Sequence, residues 1–148
     1  MIRQDYQNSI CVPVSASEAQ GKIVRVSEWW TQYVEGNCSN LGDVFTVRFS
    51  EDFGGTFVEF RITEAAPGSR VVWHVDDCYL PWLKDKTEWN DTNVVFEVSA
   101  SGTGAMVTIT HEGLTPAIEC YEACKQGWNR YFGQSLKQFL TDGCGMPN

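Results

Sequence analysis

The C-terminal part of this chain carries an amphipathic pattern that is more aromatic than an ordinary surface helix requires. Between residues 117 and 140, apolar side chains recur at helical spacing, namely Tyr121, Cys124, Trp128, Tyr131, Phe132, Leu136, Phe139 and Leu140. Thr115 and Pro116 predict the start of this helix, and Gly143 predicts its end. Because most of the preceding chain resembles β-strand, the helix has to bury its aromatic face against a sheet. A long helix on one sheet can enclose an apolar cavity, and we expect the function there.

In the remainder of the chain, turn residues separate short segments at the spacing typical of an antiparallel sheet. We predict a strand at 8–14, short helices at 15–21 and 26–34, and then strands at 43–50, 55–65, 69–77, 91–100 and 103–112. Hairpin turns that contain glycine begin at Asp52, Ala66 and Ser101. Residues 78–90 fit either a loop or an irregular edge strand.

Alternation within these strands separates an apolar face from a polar one. The apolar set consists of Phe45, Val47, Phe49, Val58, Phe60, Ile62, Val71, Trp73, Val75, Val94, Phe96, Val98, Val107 and Ile109, together with His111. Such a sheet packs one face on a helix and leaves the other in water. His111 is the exception on the apolar face. It is either a core residue bonded to a hydroxyl or backbone group, or a polar contact or acid/base at the mouth of a cavity.

Length and charge limit the classes of protein to which the chain can belong. We expect 148 residues to form a single domain, residues 1–148, with an adequate core. A net charge of −8 argues against nucleic acid and anionic membrane surfaces as partners. No apolar run is long enough for a membrane span, and the N-terminal residues lack the apolar segment of an export signal. We therefore expect a cytoplasmic protein.

The cysteines allow more than one interpretation. Without an export signal, we expect all six to be free, mostly buried thiols. Cys120 and Cys124 are one helical turn apart, which would also suit a metal site or thiol redox chemistry. A metal would need two further ligands, and the two histidines lie at unrelated spacing. We expect no metal and no cofactor.

The motifs of catalysis are weak, whereas the indoles are abundant. No serine or cysteine triad, paired buried carboxylates or phosphate loop is present, although Cys124 would approach His111 if the helix docks there. The acidic pairs Asp76-Asp77 and Glu51-Asp52 have the pattern of solvated turns. The six tryptophans are either core and rim residues or, in part, the lining of a pocket: Trp29, Trp30, Trp73, Trp82, Trp89 and Trp128.

Several segments together resemble a known superfamily nearly from end to end. They are ICVPVSASEA, EWWTQYVEG followed by GDVFTVRF, ITEAAPGSRVVWHV, TEWNDTNVVFEV, VTITHEGLTP and ECYEACKQGWNRYFGQSLKQFLTDGCGMP. The last two are the most specific. With them the chain resembles the START/Bet v 1-like (SRPBCC) superfamily and, within it, the activator of heat-shock protein 90 ATPase-like branch.

This resemblance implies an α+β, helix-grip (Bet v 1-like) fold, in which a curved antiparallel sheet wraps around a long C-terminal helix with two short helices at one end. The superfamily includes lipid and sterol carriers, hormone receptors, polyketide cyclases and chaperone activators, so the fold does not determine the activity. Chaperone activators of this branch also use a separate N-terminal domain, for which we expect no room here. By position, the cavity-lining candidates are Trp29, Phe45, Phe60, Trp73, Phe96, His111, Cys124, Trp128 and Tyr131, none of them catalytic.

The expected function is the binding of a small apolar or amphipathic, lipid-like molecule between the sheet and the C-terminal helix. A protein-interaction module of chaperone-activator type, with a chaperone as partner, is the first alternative. An enzyme of cyclase or hydrolase type is the second.

Overall fold

A computed structural model describes residues 4–49 and 55–148. Its strands form one antiparallel sheet of seven members in the order β1-β7-β6-β5-β4-β3-β2. Their bounds are β1 (Tyr6–Val12), β2 (Tyr33–Gly36), β3 (Val44–Arg48), β4 (Phe57–Ala66), β5 (Arg70–Tyr79), β6 (Asn93–Ser101) and β7 (Gly104–Glu112). Register shifts between β4 and β5, at Glu59/Phe60 and Ile62/Glu64, are irregularities of the kind that bend a sheet. The curved antiparallel sheet that the sequence predicted is confirmed.

Two short helices follow β1, and a long helix ends the fold. α1 (Ala16–Ile23) begins at Ser15, whose hydroxyl accepts the backbone N–H of Glu18, and α2 (Val26–Trp29) comes next. The C-terminal helix runs as α3 (Tyr121–Arg130), a π-helical segment (Tyr131–Leu136) and α4 (Lys137–Asp142). It ends at Gly143, which has a φ of 82°. The helix-grip arrangement is therefore the observed one.

Two helix boundaries differ from the prediction. The long helix begins at Tyr121 rather than near residue 117, because the preceding turn is held by other bonds: the backbone N–H of Glu119 donates to Glu88. α2 ends at Trp29, and the rest of the predicted helix 26–34 includes the start of β2, which pairs with β3. Tertiary pairing thus overrides local helical spacing there.

The segment at 78–90, which the sequence predicted as either a loop or an irregular edge strand, is part strand and part loop. Cys78 and Tyr79 complete β5, and the residues that follow form a folded loop closed by a hydrogen bond of 2.7 Å from Leu80 N to Lys86 O. Leu83 and Trp89 are buried within it. This loop also contributes Leu80, Trp82 and Trp89 to the wall of a cavity.

Two of the three predicted hairpin turns can be located. Gly68 and Gly102 both have positive φ, 67° and 60°, in the turns between β4 and β5 and between β6 and β7. The turn predicted from Asp52, the acidic pair Glu51-Asp52 and the last residue of the predicted strand 43–50 lie outside the described residues.

The apolar face of the sheet forms the core beneath the long helix. Phe45, Phe60, Phe96 and Ile109 are each at most 1% exposed, so the predicted register is confirmed. Trp73 lies at the centre of this layer, with its ring parallel to that of Trp30 at a centroid distance of 6.3 Å. Many of the aromatic residues of the sequence therefore pack against one another in the core.

The expectation of six free thiols is wrong. Cys120 and Cys124 form a disulfide with a Cα–Cα distance of 5.7 Å. One helical turn brings their side chains onto the same face, which is within reach of a disulfide. The other four, Cys11, Cys38, Cys78 and Cys144, are free. In the part of the chain that the structure describes, no helix has the length and apolarity needed to cross a membrane.

Candidate functional site

A cavity of about 270 Å³ lies between the sheet, the loop after β5 and the long helix. Its walls are aromatic and aliphatic over most of their surface. They are formed by Trp30, Phe49, Thr56, Val58, Leu80, Trp82, Trp89, Ala123, Cys124, Gly127, Trp128 and Tyr131. No charged side chain occurs among these described lining residues, so the cavity offers apolar surface and a few hydroxyl and indole groups.

Helical spacing determines which residues α3 contributes. Ala123, Cys124, Gly127, Trp128 and Tyr131 recur at intervals of three and four and therefore share one face. At Gly127 a Cβ atom would meet no heavy atom within 4 Å. Because Gly127 lines the cavity and has open space at its Cβ position, we expect a larger side chain there to occupy part of the cavity.

Three tryptophans form the inner wall. The rings of Trp30 and Trp128 lie 4.8 Å apart, and Trp89 stacks on Trp128 with an interplanar angle of 14°. Trp82 is 52% exposed and stands where the cavity meets solvent. Flat rings at these positions favour a flat or chain-like apolar molecule over a charged one.

His111 lies behind this wall and not at the mouth. It is fully buried, and its ring contacts Trp89 edge-on at a centroid distance of 4.6 Å. Its Nδ1 accepts the indole N–H of Trp128 at 3.1 Å, so Nε2 carries the proton and donates to the hydroxyl of Thr92 at 2.9 Å. The Thr92 hydroxyl in turn donates to the carbonyl of Trp89 at 2.7 Å.

Burial keeps the imidazole of His111 neutral. Desolvation by burial lowers the pKa of His111 to about 3. The structure therefore supports the interpretation of His111 as a core residue bonded to a hydroxyl. Its effect on the site is indirect, since it fixes the orientation of Trp89 and Trp128, two residues of the cavity wall.

The disulfide belongs to the same region. Cys124 lines the cavity, whereas Cys120 is fully buried and accepts the indole N–H of Trp89 at 3.1 Å. Because both sulfurs are joined, Cys124 does not present a free thiol to His111. Trp89 is thus held from two sides, by Cys120 at its indole nitrogen and by Thr92 at its carbonyl.

The C-terminal tail supports two lining residues from outside. The backbone N–H of Asn148 donates to the carbonyl of Trp30 at 2.8 Å, and its side-chain amide donates to the carbonyl of Phe49 at 2.6 Å. Upstream, the hydroxyl of Ser135 donates to the carbonyl of Trp29 and accepts the N–H of Met146. No local sequence signal predicted these contacts.

The structure brings together three of the nine cavity candidates from the sequence: Cys124, Trp128 and Tyr131 line the cavity. Five others lie in the packed aromatic core beneath the helix, namely Trp29, Phe45, Phe60, Trp73 and Phe96. His111 does not line the cavity but lies directly behind two of its wall residues, Trp89 and Trp128.

None of the residues that form the opposite wall was among the nine candidates, although the sequence had pointed to several of them in other ways. Phe49 and Val58 belonged to the predicted apolar face, and Trp30, Trp82 and Trp89 were among the tryptophans considered for a pocket. Leu80, Trp82 and Trp89 could not be placed because they lie in the irregular segment after β5, which has no strand or helix periodicity.

A second cavity of about 340 Å³ lies beside α1. Its lining is more polar and includes Ser17, Gln20, Gly21 and Asn40. At Gly21, as at Gly127, a Cβ atom would meet nothing within 4 Å. This second helical glycine is a natural control for substitutions at Gly127.

Known proteins share both the sequence pattern and the fold. The family described as "Activator of Hsp90 ATPase homolog 1-like protein" matches residues 22–141. Among solved structures, the Aha1 dimer from Colwellia psychrerythraea is similar, with a TM-score of 0.75, 20% identity, and coverage of 98% of this chain and 100% of that chain. Protein SSP2350 from Staphylococcus saprophyticus has a TM-score of 0.71, 16% identity, and coverage of 97% and 96%.

A third similar structure is protein MLL2253 from Mesorhizobium loti, with a TM-score of 0.70, 17% identity, and coverage of 93% of this chain and 96% of that chain. At these identities the structural likeness shows the fold alone. No curated protein matches the chain in sequence.

Proposed function

This chain belongs to the Activator of Hsp90 ATPase homolog 1-like family, and from that premise we propose that it binds a small apolar or amphipathic molecule between the sheet and the C-terminal helix. The observation that carries the proposal is the cavity beside α3, which is lined by tryptophans and, among its described residues, by no charged side chain. Ligand sites of proteins are concave and mostly apolar, with a few polar groups that orient the ligand.

The size of the cavity limits the ligand. A volume of about 270 Å³ lies at the lower end of the range for small-molecule sites, which suits one or two fused rings or a short acyl chain. Burying about 200 Å² of apolar ligand surface stabilises a complex by roughly 5 kcal/mol, before the cost of association. We therefore expect weak binding of simple apolar probes, with dissociation constants no lower than about 0.2 mM.

The two ends of the cavity differ in their exposure to solvent. Its inner wall is formed by buried indoles, whereas Trp82 is half exposed at the opening. Besides the indole groups, the hydroxyl groups of Thr56 and Tyr131 are polar functions of the lining. An amphipathic molecule would place its apolar part against Trp30 and Trp128 and keep its polar end at the opening.

Binding of naphthalene, followed by tryptophan emission, tests the proposal. We expect quenching that saturates in the wild-type protein and is lost in Gly127→Leu, because the new side chain fills the cavity. Gly21→Leu is the matched control: it is also a helical glycine with open space at its Cβ, but it lies at the other cavity. Equal binding by both variants, or none by the wild type, would contradict the proposal.

The family match supports a second candidate, a chaperone-activator-type interaction module. In this case the chain would raise the ATPase rate of Hsp90, a cytoplasmic partner in keeping with the location expected from the sequence. Measuring that rate with and without the purified chain tests this candidate separately. An unchanged rate at saturating concentrations of the chain would count against it.

A further inference from the structure

We propose that the Cys120–Cys124 disulfide is a thiol-exchange site that small apolar thiols reach through the cavity. The inference rests on the proposed function, in that the cavity must admit a small apolar molecule. It adds a covalent reaction and a chemical class of reactant.

Access distinguishes the two sulfurs. Cys124 lines the cavity, whereas Cys120 has no exposed surface. Thiol–disulfide exchange requires a thiolate to approach one sulfur directly, and access to that sulfur helps set the rate. An incoming thiol in the cavity therefore meets Sγ of Cys124.

The surroundings of Cys120 favour it as the leaving group. The indole N–H of Trp89 donates to Sγ of Cys120 at 3.1 Å, and a charge-assisted hydrogen bond becomes stronger as the sulfur acquires negative charge. Cys120 also occupies the N-cap position of α3, a helix of ten residues, where the helix dipole stabilises a thiolate. These two contacts are independent of the route by which the thiol enters.

The reaction balances with two equivalents of a thiol, RSH. The first thiolate, RS⁻, attacks Sγ of Cys124, the S–S bond to Cys120 breaks, and Cys120 leaves as a thiolate while R–S–S–Cys124 forms. A second thiolate attacks the sulfur of R in this mixed disulfide, releasing RSSR and the Cys124 thiolate. Both protons given up by the thiols end on the two cysteines, so that the disulfide is reduced and the thiols are oxidised.

The lining of the cavity selects the thiol. Its described residues are largely aromatic and none is charged, so an apolar thiol gains from entering and a charged thiol loses its hydration. The preference should reach about tenfold, which corresponds to burying roughly 55 Å² of apolar surface.

The first experiment compares benzyl mercaptan with 2-mercaptoethanesulfonate as reductants of the oxidised protein, each rate corrected for its thiolate fraction. We expect benzyl mercaptan to reduce the disulfide at least about tenfold faster, and this advantage to disappear in Gly127→Leu but not in Gly21→Leu. Equal rates for the two thiols in the wild type overturn the inference. A finding of six free thiols in protein purified without reductant overturns it as well.

A second experiment identifies the sulfur that reacts. Cys120→Ser leaves Cys124 as a free thiol, and dibenzyl disulfide should modify it, as read by peptide mass spectrometry. The exposed Cys144 in the same molecule gives the reference reactivity, and Cys124→Ser should leave the buried Cys120 unmodified. Modification of Cys120 in Cys124→Ser at the rate of Cys144 contradicts the assignment.

The naphthalene titration separates the two proposals. If the oxidised protein binds naphthalene but shows no preference between the thiols, the exchange site fails and the binding function stands. If naphthalene does not bind, the binding function fails irrespective of the exchange rates.

Discussion

At the level of single residues, His111 shows how a buried polar group can serve an apolar site without touching a ligand. Both ring nitrogens are used, one by Trp128 and one by Thr92. A buried donor or acceptor that loses its partner costs about 1–3 kcal/mol. His111 therefore fixes the tilt of Trp128 and, through Thr92, the backbone at Trp89.

This arrangement makes stability depend on pH. The pKa of His111 is about 3 in the folded protein, against an ordinary value of 6.5. Between these values the unfolded chain binds the proton and the folded one does not, so stability falls as the pH is lowered through this range and is fully present above it. From pH 6.5 to pH 5 we expect His111 to account for a loss of about 2 kcal/mol, measured by urea unfolding.

Two variants identify the source of this slope. His111→Gln should flatten it, since glutamine does not titrate, although its amide can still donate and accept. His74→Gln changes the other histidine of the chain, which is half buried beside Asp76 and Asp91, and should keep most of the slope because His111 is retained. A slope that survives His111→Gln unchanged would show that other groups cause it.

At the level of elements, the long helix lines the cavity with one face and packs into the core with the adjacent face. Cys124, Gly127 and Tyr131 face the cavity, while Phe132 and Leu136 are completely buried. The π-helical segment at Tyr131–Leu136 lies between the part of the helix that lines the cavity and the part that packs into the core. An extra residue per turn rotates the following side chains, and such segments are common at functional sites.

Trp128 belongs to both faces and should be the most costly residue of the helix to remove. It is 2% exposed, donates to His111 and packs on Trp30 and Trp89. Trp128→Ala should lower the free energy of unfolding by about 3–5 kcal/mol in a denaturant titration.

Arg130→Ala, two positions along the same helix, is the control and should cost less than about 1 kcal/mol, because its side chain is exposed and contacts Tyr131 only at the surface. A similar cost for both variants would mean that the helix is held by its backbone and not by this ring.

The elements also show what the sequence could predict. Period-two alternation placed Phe45, Phe60 and Phe96 on the inner face because each strand has one buried face. β2 was missed because its four residues continue a helical pattern and are fixed only by pairing with β3. The cavity wall from Leu80 to Trp89 was missed for a related reason, since a folded loop has no period to detect.

On the scale of the whole molecule, the sequence resemblance predicted the fold well and the chemistry poorly. The helix-grip order follows from strands, turns and one long helix. The disulfide was missed because an inference about cellular location was given more weight than the spacing of Cys120 and Cys124. The anchoring of Asn148 on Trp30 and Phe49 could not be found, since it joins segments about one hundred residues apart through backbone carbonyls.

The pairing of β1 with β7 has a kinetic consequence. Tyr6 lies opposite His111, and Val12 lies opposite Ala105, so the first strand can dock only after the last one exists. Contacts of such high sequence separation require large loops to close before they contribute any stability, and chains dominated by them fold in milliseconds to seconds. We expect stopped-flow refolding in this range, with amides of β1 the last of the sheet to gain protection from hydrogen exchange. Until that moment β7 presents an unpaired edge, the feature of a folding intermediate that most readily recruits a strand from another chain.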